Sequence, residues 1–398
     1  MSSNRLLLFY LVTMLYWFST YTYVPLLSPY VRALGGSLAM AGIVIGSYGF
    51  SQMLFRIPLG IWSDRVGRRK PFIFAGIAAA TASSLGFALT SSVWGTLVFR
   101  SLAGVAAGAW VVFTVLYASY HKHEHAPRAM GIISFYTSIG QMIAATLGGL
   151  IAGVYGWHGA FWLAVAGGVA ALLLSLGIKE NPPVDSASAI RLVDLLRVGK
   201  DKIVLGVSTL AVLAQVITFS TMFGFTPQAA VYLGATKADL SWLTLASTLA
   251  NAIASRLSGG WFASKLGERR VVMLGFGISA VFTAVIPFIH SLPWLYITQA
   301  MNGFGQGFCM PVLMGLAIKH IAPNQRATAM GFYQAIYSLG MFGGPAIAGI
   351  VGDLFSLEGS FLMVSGVSLA AVFLTVGLAP RSVQRHPFVT SDEEERGL

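Results

Sequence analysis

Residues 60–70 read GIWSDRVGRRK and residues 260–270 read GWFASKLGERR, so one stretch recurs 200 positions further along the chain. The same spacing relates glycines and arginines elsewhere: Gly60, Gly67, Gly131, Gly140, Gly149, Arg56 and Arg69 recur as Gly260, Gly267, Gly331, Gly340, Gly349, Arg256 and Arg269. Hydrophobic stretches of membrane-spanning length, ~20 residues, surround these positions. This duplication favours a membrane protein whose two halves rock about one shared central site.

The composition indicates that most of the surface faces lipid. Hydrophobic residues make up 56% of the chain and charged residues 10%, whereas a soluble domain has about 25% charged residues. The 45 glycines allow membrane helices to approach closely. Cys309 is the single cysteine, which excludes an internal disulfide and a cysteine-based metal cage. We expect neither a metal nor another cofactor, and we interpret the alternating His121, His123 and His125 as a solvated basic loop.

Charge clusters and Gly/Pro turns divide the chain into twelve predicted membrane helices. They lie near residues 6–28, 38–62, 71–90, 94–118, 129–153 and 159–178, and near 203–228, 239–262, 271–290, 294–318, 328–352 and 360–379. We expect an all-α membrane protein in which residues 1–178 and 203–380 form two pseudo-symmetric six-helix bundles. Residues 179–202 are a predicted cytoplasmic linker with a short amphipathic helix around 190–198, and residues 381–398 a solvated tail.

The distribution of basic residues predicts the orientation in the membrane. Twenty lysines and arginines lie in the loops on the side of the two termini, against Arg32 and Lys237 in the loops of the other side. Because basic loops stay cytoplasmic, we expect a multi-pass protein of the cytoplasmic (inner) membrane with both termini in the cytoplasm. The net charge of +11 then reflects topology and contact with anionic lipid rather than nucleic-acid binding.

The stretch at residues 60–70 lies where the second predicted helix meets the cytoplasm. Glycine suits a tight turn between two helices, and a basic cluster binds lipid phosphates. Asp64 can pair there with an arginine or with the positive N-terminus of a nearby helix. The stretch resembles the signature loop of the major facilitator superfamily (MFS), a family of membrane transporters, and the likeness extends to the length, the twelve spans and both repeats.

This resemblance implies a latch that closes the cytoplasmic side against the eleventh helix, which would begin near Ala327. The latch residues implied are Gly60, Asp64, Arg65, Gly67, Arg68 and Arg69. The repeat copy has Ser264 in place of the aspartate, so the latch is expected in one half only. The alternative interpretation is that Asp64 merely sets the topology.

Glycines of the fifth helix carry a second resemblance. Gly131, Gly140 and Gly149 keep the spacing of the glycine-rich fifth helix of drug-exporting MFS members, although alanines replace its Gly-Pro pair. The eleventh helix holds the fuller copy, which includes Gly344 and Pro345. Close packing between the two halves is the alternative explanation.

Arg100 lies six residues after Trp94, or about 9 Å into the fourth helix. An arginine inside a membrane helix costs at least ~2.5 kcal/mol, so a function is expected. The run around it resembles the fourth-helix arginine motif of proton-driven MFS exporters, which implies proton coupling or substrate binding; structural hydrogen bonding is the alternative. Arg56 and Arg256 lie one turn from the cytoplasmic boundary, where they either support the architecture or add positive potential to the inner vestibule.

Polar and aromatic side chains near the middle of the spans are the candidate lining of a substrate cavity. Those on the first and seventh helices share one helical face, and the full set is Thr13, Tyr16, Thr20, Tyr23, Tyr48, Gln52, Tyr136, Gln141, Gln215, Phe219, Met222, Asn251, Gln299, Asn302, Gln306, Tyr333 and Tyr337. Each position can alternatively serve helix packing alone. No carboxylate falls in the middle of a predicted span, so the three span arginines favour a neutral, zwitterionic or anionic cargo.

These features predict a secondary transporter and not an enzyme, since neither a nucleotide-binding loop nor a catalytic triad is evident. We expect a monomer in membrane lipid that exports a small amphipathic drug or metabolite in exchange for protons. Uptake or exchange of an anionic or zwitterionic metabolite and translocation of a lipid-like substrate are the alternatives.

Overall fold

The computed structural model describes residues 3–120, 126–180, 199–321 and 326–378. All regular structure in these ranges is helical, as expected where a lipid-exposed backbone must satisfy its hydrogen bonds within one segment. The predicted linker helix around 190–198, the histidines at 121–125 and the tail at 381–398 lie outside the described residues. The proposed domain boundaries at 178 and 203 stay predictions.

Six helical spans, α1 to α6, make up the first half. They are α1 (Ser3–Tyr21, extended by a 3-10 turn at Val24–Leu26 and a helix at Leu27–Ala33), α2 (Leu38–Val66), α3 (Lys70–Leu89), α4 (Val93–Gly108 with Trp110–Ser119), α5 (126–155) and α6 (157–175). Helices α5 and α6 meet at Gly156, whose φ of +72° and ψ of −176° suit glycine alone.

Six further spans, α7 to α12, make up the second half. They are α7 (Lys202–Ser220, a π turn at Thr221–Phe225 and Thr226–Tyr232), α8 (Lys237–Leu257, a π turn at Ser258–Phe262 and Ala263–Leu266), α9 (Glu268–Val285 with a 3-10 turn at Ile286–Phe288), α10 (Leu292–Lys319), α11 (Arg326–Leu354) and α12 (Leu357–Leu378).

Length and hydropathy identify ten membrane-spanning segments in the described part of the chain, and one of them contains both α5 and α6. Helix α8, which is less hydrophobic, brings the number of spans to twelve. Spans α1 and α7 run several residues beyond their predicted ends, because Pro25 and Pro227 occupy the first turn of a new helical segment, where a missing N–H costs nothing.

The two halves repeat each other most clearly in the turns after α1 and α7. Gly35 and Gly234 both adopt φ +84°, a left-handed conformation that favours glycine. Ser37 and Thr236 then cap the next helix by accepting a hydrogen bond from a backbone N–H three residues later. We call the end of the bundle that carries residues 64–70 the basic end. The turns after α1 and α7 lie at the other end, which we call the opposite end.

The halves are packed tightly at the opposite end. A methyl group at Gly42, Gly46 or Gly49 of α2 would overlap with Pro345, Phe342 or Met341 of α11. On the other flank, Gly149 of α5 lies against Lys237 and Ser241 of α8, and the Ser241 hydroxyl donates to the Ala145 carbonyl. Small residues thus allow backbone contact between the halves.

Toward the basic end, the glycines of the same two helices, α2 and α5, do not contact the other half. A methyl group at Gly131 of α5 would have no atom within 4 Å, and one at Gly60 of α2 would meet only Val111 of its own half among the described residues. The structure is therefore closed at the opposite end, whereas these inner glycines make no contact across the halves.

Candidate functional site

Asp64 pairs with Arg69 of its own loop, with the Asp64 Oδ1 2.5 Å from the Arg69 Nη2. The pair rests on the end of α2, where Gly67 adopts φ +67° and its N–H donates to the Ser63 carbonyl at 3.1 Å. Arg69 also donates to the Ser63 hydroxyl at 3.2 Å. Asp64 is therefore satisfied within its own half in this state, and its contact with α11 stays a prediction for the opposite state.

The other predicted latch residues lie on the same turn. Gly60 packs toward Val111, and Arg65 and Arg68 are exposed at the basic end. In the repeat copy, Ser264 bonds the Trp261 carbonyl at 2.9 Å, and Glu268 pairs with Lys319 at 2.7 Å. The two copies thus use different contacts.

Glu180 supports the latch turn from the segment that follows α6. It accepts hydrogen bonds from the backbone N–H groups of Arg69 and Lys70, the latter at 3.3 Å, and so satisfies the N-terminus of α3. Beside it, the Tyr120 hydroxyl donates to the Lys179 carbonyl at 2.6 Å, and burial raises the pKa of Tyr120 to about 12. Local sequence carries no signal for Glu180, since its partners lie 110 residues away and only the fold brings them together.

Arg100 is buried in the first half, with 2% of its surface exposed. Its guanidinium carbon lies 4.3 Å from the ring centroid of Tyr48 and 6.0 Å from that of Tyr23, which are cation–π distances. The Nε and Nη1 atoms have no hydrogen-bond partner within the described ranges, and neither ion pair found there includes Arg100. A buried cation without a carboxylate creates a positive potential beside the boundary between the halves.

Aromatic rings connect this arginine to the second half. Tyr48 lies 6.4 Å from Phe219 of α7 with the rings nearly parallel, and Tyr21 lies 6.0 Å from Phe223. We call these four rings the aromatic bridge. Sequence reasoning missed Tyr21 and Phe223; the available signal was their i+4 spacing from Trp17 and Phe219, respectively.

Arg56 joins the halves nearer the basic end. Only 5% of it is exposed, and its Nη1 donates to the Gln334 Oε1 of α11 at 2.7 Å. Its repeat counterpart Arg256 is exposed. The duplicated arginines therefore lie in different surroundings, and only Arg56 is placed to affect the contact between the halves.

The predicted lining residues of the first half are either buried or half-buried. Tyr16 and Tyr23 are buried within the half: the Tyr16 hydroxyl donates to the Ala106 carbonyl at 2.6 Å, and Tyr23 packs 4.5 Å from Phe87. Tyr136 is half-buried and stacks on Tyr10 at 4.3 Å. The remaining members are buried except for the half-buried Gln141, and they are Thr13, Thr20, Tyr48, Gln52 and Gln141.

In the second half, two predicted lining residues of α10 form hydrogen bonds with neighbouring helices. Asn302 donates to Thr221 at 3.2 Å and to Thr283 at 3.3 Å, and Gln306 donates to Ser279 at 3.0 Å. The other members are buried or half-buried, and they are Gln215, Phe219, Met222, Asn251, Gln299, Tyr333 and Tyr337.

Many polar atoms of these side chains are buried without a hydrogen-bond partner among the described residues. The predicted site residues with such an atom are Thr13, Arg56, Arg100, Gln299, Asn302, Gln306 and Tyr333, and Trp17 adds an unpaired indole N–H. Buried polar groups are almost always paired. The role of these unpaired atoms in binding a cargo stays a prediction.

The same described ranges hold no group of three or more His, Cys, Asp or Glu side chains able to bind a metal ion. What the arrangement offers is a polar, aromatic and positively charged region next to the boundary between the halves, where small residues allow the helices to pack closely.

Two six-helix halves with this region between them define a polytopic membrane transporter. A sequence model of the Major Facilitator Superfamily matches residues 9–232 and 207–397, and the chain belongs to that superfamily. The prediction of an all-α membrane protein with twelve helices is thereby confirmed, as is the prediction that the chain is a transporter and not an enzyme.

Named relatives agree with this assignment. The chain is 29% identical over 374 residues to the inner membrane transport protein YajR of Escherichia coli K12, a match that covers 92% of this chain and 80% of the relative. It is 25% identical over 372 residues to multidrug resistance protein 2 of Bacillus subtilis 168, covering 88% and 90%. The crystal structure of the nucleoside transporter NupG has a similar fold, with a TM-score of 0.77, 16% identity and coverage of 95% and 99%.

Proposed function

We propose that this protein exports a small amphipathic compound, neutral, zwitterionic or anionic, by alternating access in exchange for protons. The observation that carries the proposal is Arg100, a buried cation stacked on Tyr48 with no carboxylate partner in the described residues. A cationic drug would be repelled there, whereas an anionic or dipolar group would gain a charge-assisted hydrogen bond. The unpaired amides and hydroxyls of the second half suit the remaining polar atoms of such a molecule.

Export is supported by the glycine spacing of α5 and α11, which resembles that of drug-exporting members, and the similarity to a protein named for multidrug resistance favours a drug-like cargo. The excess of basic residues supports placing the end with Asp64 in the cytoplasm of an inner membrane, with both termini there. In this orientation the closed opposite end faces the outside, which supports loading of cargo from the cytoplasm. We propose a monomer, since each chain contains both halves and the region between them.

The test uses proteoliposomes with a defined pH gradient and a panel of labelled compounds of matched size and different charge. We expect flux of anionic or zwitterionic members to follow the proton gradient and to stop when the gradient is collapsed. A flux that ignores the gradient for every member of the panel would reject proton antiport, and a preference for cations would reject the role of Arg100.

A second function, uptake or exchange of an anionic or zwitterionic metabolite, is favoured by the same unpaired arginine. Counterflow separates it from export: exchange requires cargo on both sides and no proton gradient. Movement of a lipid-like substrate is the third candidate and is measured with labelled lipids in the same vesicles.

A further inference from the structure

Asp353, at the C-terminal end of α11, binds the start of α2 in the other half. Its Oδ1 accepts a hydrogen bond from the Leu38 N–H at 2.8 Å, and its Oδ2 accepts one from the Ala39 N–H at 2.9 Å. These N–H groups belong to the first turn of α2, where no partner within the helix exists and where the helix dipole favours a negative charge. One carboxylate thus joins the two halves at the opposite end.

The repeat shows that this contact is more than ordinary helix capping. The matching helix α8 carries an acid of its own in its first turn, because Asp239 accepts a hydrogen bond from the Thr236 N–H at 2.8 Å and completes a capping box. Asp239 lies three residues after the cap Thr236. The residue three positions after the cap Ser37 of α2 is Met40, which has no carboxylate. Helix α2 therefore takes its acid from the other half of the molecule.

The duplication also breaks at the position of Asp353 itself. The residue 200 positions earlier is Gly153 of α5, which faces Ala238 of α8 and offers no side chain. Of the two pairs of helices that join the halves at this end, only α2 and α11 are linked by a carboxylate within the described residues. The other charged contact there is a cation–π contact, with the Lys237 ammonium of α8 4.7 Å from the ring centroid of Trp157 at the start of α6. The loop at the basic end of α2 differs between the halves as well, since the second half has Ser264 where the first half has Asp64.

The contact depends on the state of the transporter. Around Asp353 the backbones of α2 and α11 touch: a methyl group at Gly349 would overlap with Leu38 and Ala39. If the halves part at this end, the carboxylate and the two N–H groups separate, and water replaces the bonds. The closed arrangement gains the interaction and the open arrangement does not, so Asp353 shifts the equilibrium toward closure at the opposite end.

We infer that Asp353 is a latch of the opposite end, which holds α2 and α11 together while the basic end is free to open. The inference rests on the proposed alternating access. It places an acid at each end of the same helix pair: Asp353 acts in the state seen here, and Asp64 is expected to act in the other state. Arg32, whose charge acts on Asp353, lies on the extension of α1 in the first half and strengthens the attraction between the halves.

The test measures the two ends of the molecule at once by spin-label distances in nanodiscs, with the buried Cys309 replaced by alanine. One label pair, at Ser91 and His290, reports on the opposite end, and a second pair, at Val66 and Leu266, reports on the basic end; all four positions are exposed. Asp353→Asn keeps the size of the side chain and removes its charge. Glu358→Gln is the matched control, an acid in the first turn of α12 that makes no hydrogen bond or ion pair with α2 in the described part of the chain.

In Asp353→Asn we expect the open-to-closed population ratio at the opposite end to rise about two- to fivefold, as for loss of an anion at a helix N-terminus. The basic-end distances should shorten at the same time, and Glu358→Gln should match the wild type. Unchanged distances at both ends in Asp353→Asn would overturn the latch. If the wild type itself never shows two reciprocal populations, with or without cargo, alternating access fails, which is a different result.

Discussion

The guanidinium of Arg100 stacks on Tyr48 in the first half, and Tyr48 lies 6.4 Å from Phe219 in the second half. Any movement that separates the halves also removes Phe219 from the neighbourhood of Tyr48 and lets water approach the arginine. Because electrostatic interactions weaken as the local dielectric rises, the attraction of Arg100 for a cargo depends on the state of the aromatic bridge. Binding and conformational change are thus connected through three side chains.

Replacement of Arg100 by glutamine should reduce transport by about ten- to a hundredfold, the loss expected for one charge-assisted hydrogen bond to the cargo. The same change removes a buried charge that has no carboxylate partner in the described residues, so the melting temperature should stay constant or rise. Arg256→Gln, at an exposed arginine, is the control and should retain transport. A loss of transport accompanied by a large fall in melting temperature would instead mean that Arg100 is structural.

The Arg56–Gln334 hydrogen bond should hold the two halves together nearer the basic end and oppose their separation there, since it crosses the halves at 2.7 Å. A double-mutant cycle with Arg56→Leu and Gln334→Leu, read by the spin-label populations, isolates the pair. We expect a coupling of about 1.5–3 kcal/mol, the range for a hydrogen bond with one charged partner. A cycle of Arg256→Leu with Gln334→Leu should give no coupling, and equal values in the two cycles would contradict the assignment.

A larger residue at Gly42 should be incompatible with closure of the opposite end, but compatible with the state in which that end is open. Leucine there would collide with the backbone of Pro345, which cannot give way as a flexible side chain can. We expect Gly42→Leu to hold the opposite end open and to make a cysteine at Met222 reactive with an impermeant maleimide added outside. The control Gly131→Leu, where no atom lies within 4 Å, should leave this reactivity low; similar reactivity in both variants would argue against closure by α2 and α11.

Much of the fold could be predicted because the hydropathy pattern and each copy of the repeat can be recognised in short stretches of sequence. Each span needs only enough apolar length, and the turns after α1 and α7 need glycine at Gly35 and Gly234, so both features can be read from short stretches. The extensions beyond Pro25 and Pro227 were missed because proline is an ambiguous signal: it ends one helical segment and suits the first turn of the next.

The site was less predictable because its contacts join residues far apart in the chain. Arg100 was found from its cost in the membrane, but its partner Tyr48 was one aromatic among many. Glu180 and Asp353 have no local signal at all, since their partners are backbone N–H groups 110 to 315 residues away. Only the packing of the helices shows that such an acid has a function.

Gly156 provides a last prediction, since it alone forms the turn between α5 and α6. Its φ of +72° with ψ of −176° lies in a region that other residues reach only with strain of about 1–3 kcal/mol. Gly156→Ala should therefore lower the melting temperature of the protein in detergent, although a methyl group there would meet no atom within 4 Å. Gly277→Ala is the matched control, because Gly277 is helical and equally free of neighbours, so alanine should be neutral or stabilising. Equal melting temperatures for the two variants would show that the turn relaxes without strain, and that the α5–α6 junction does not depend on glycine.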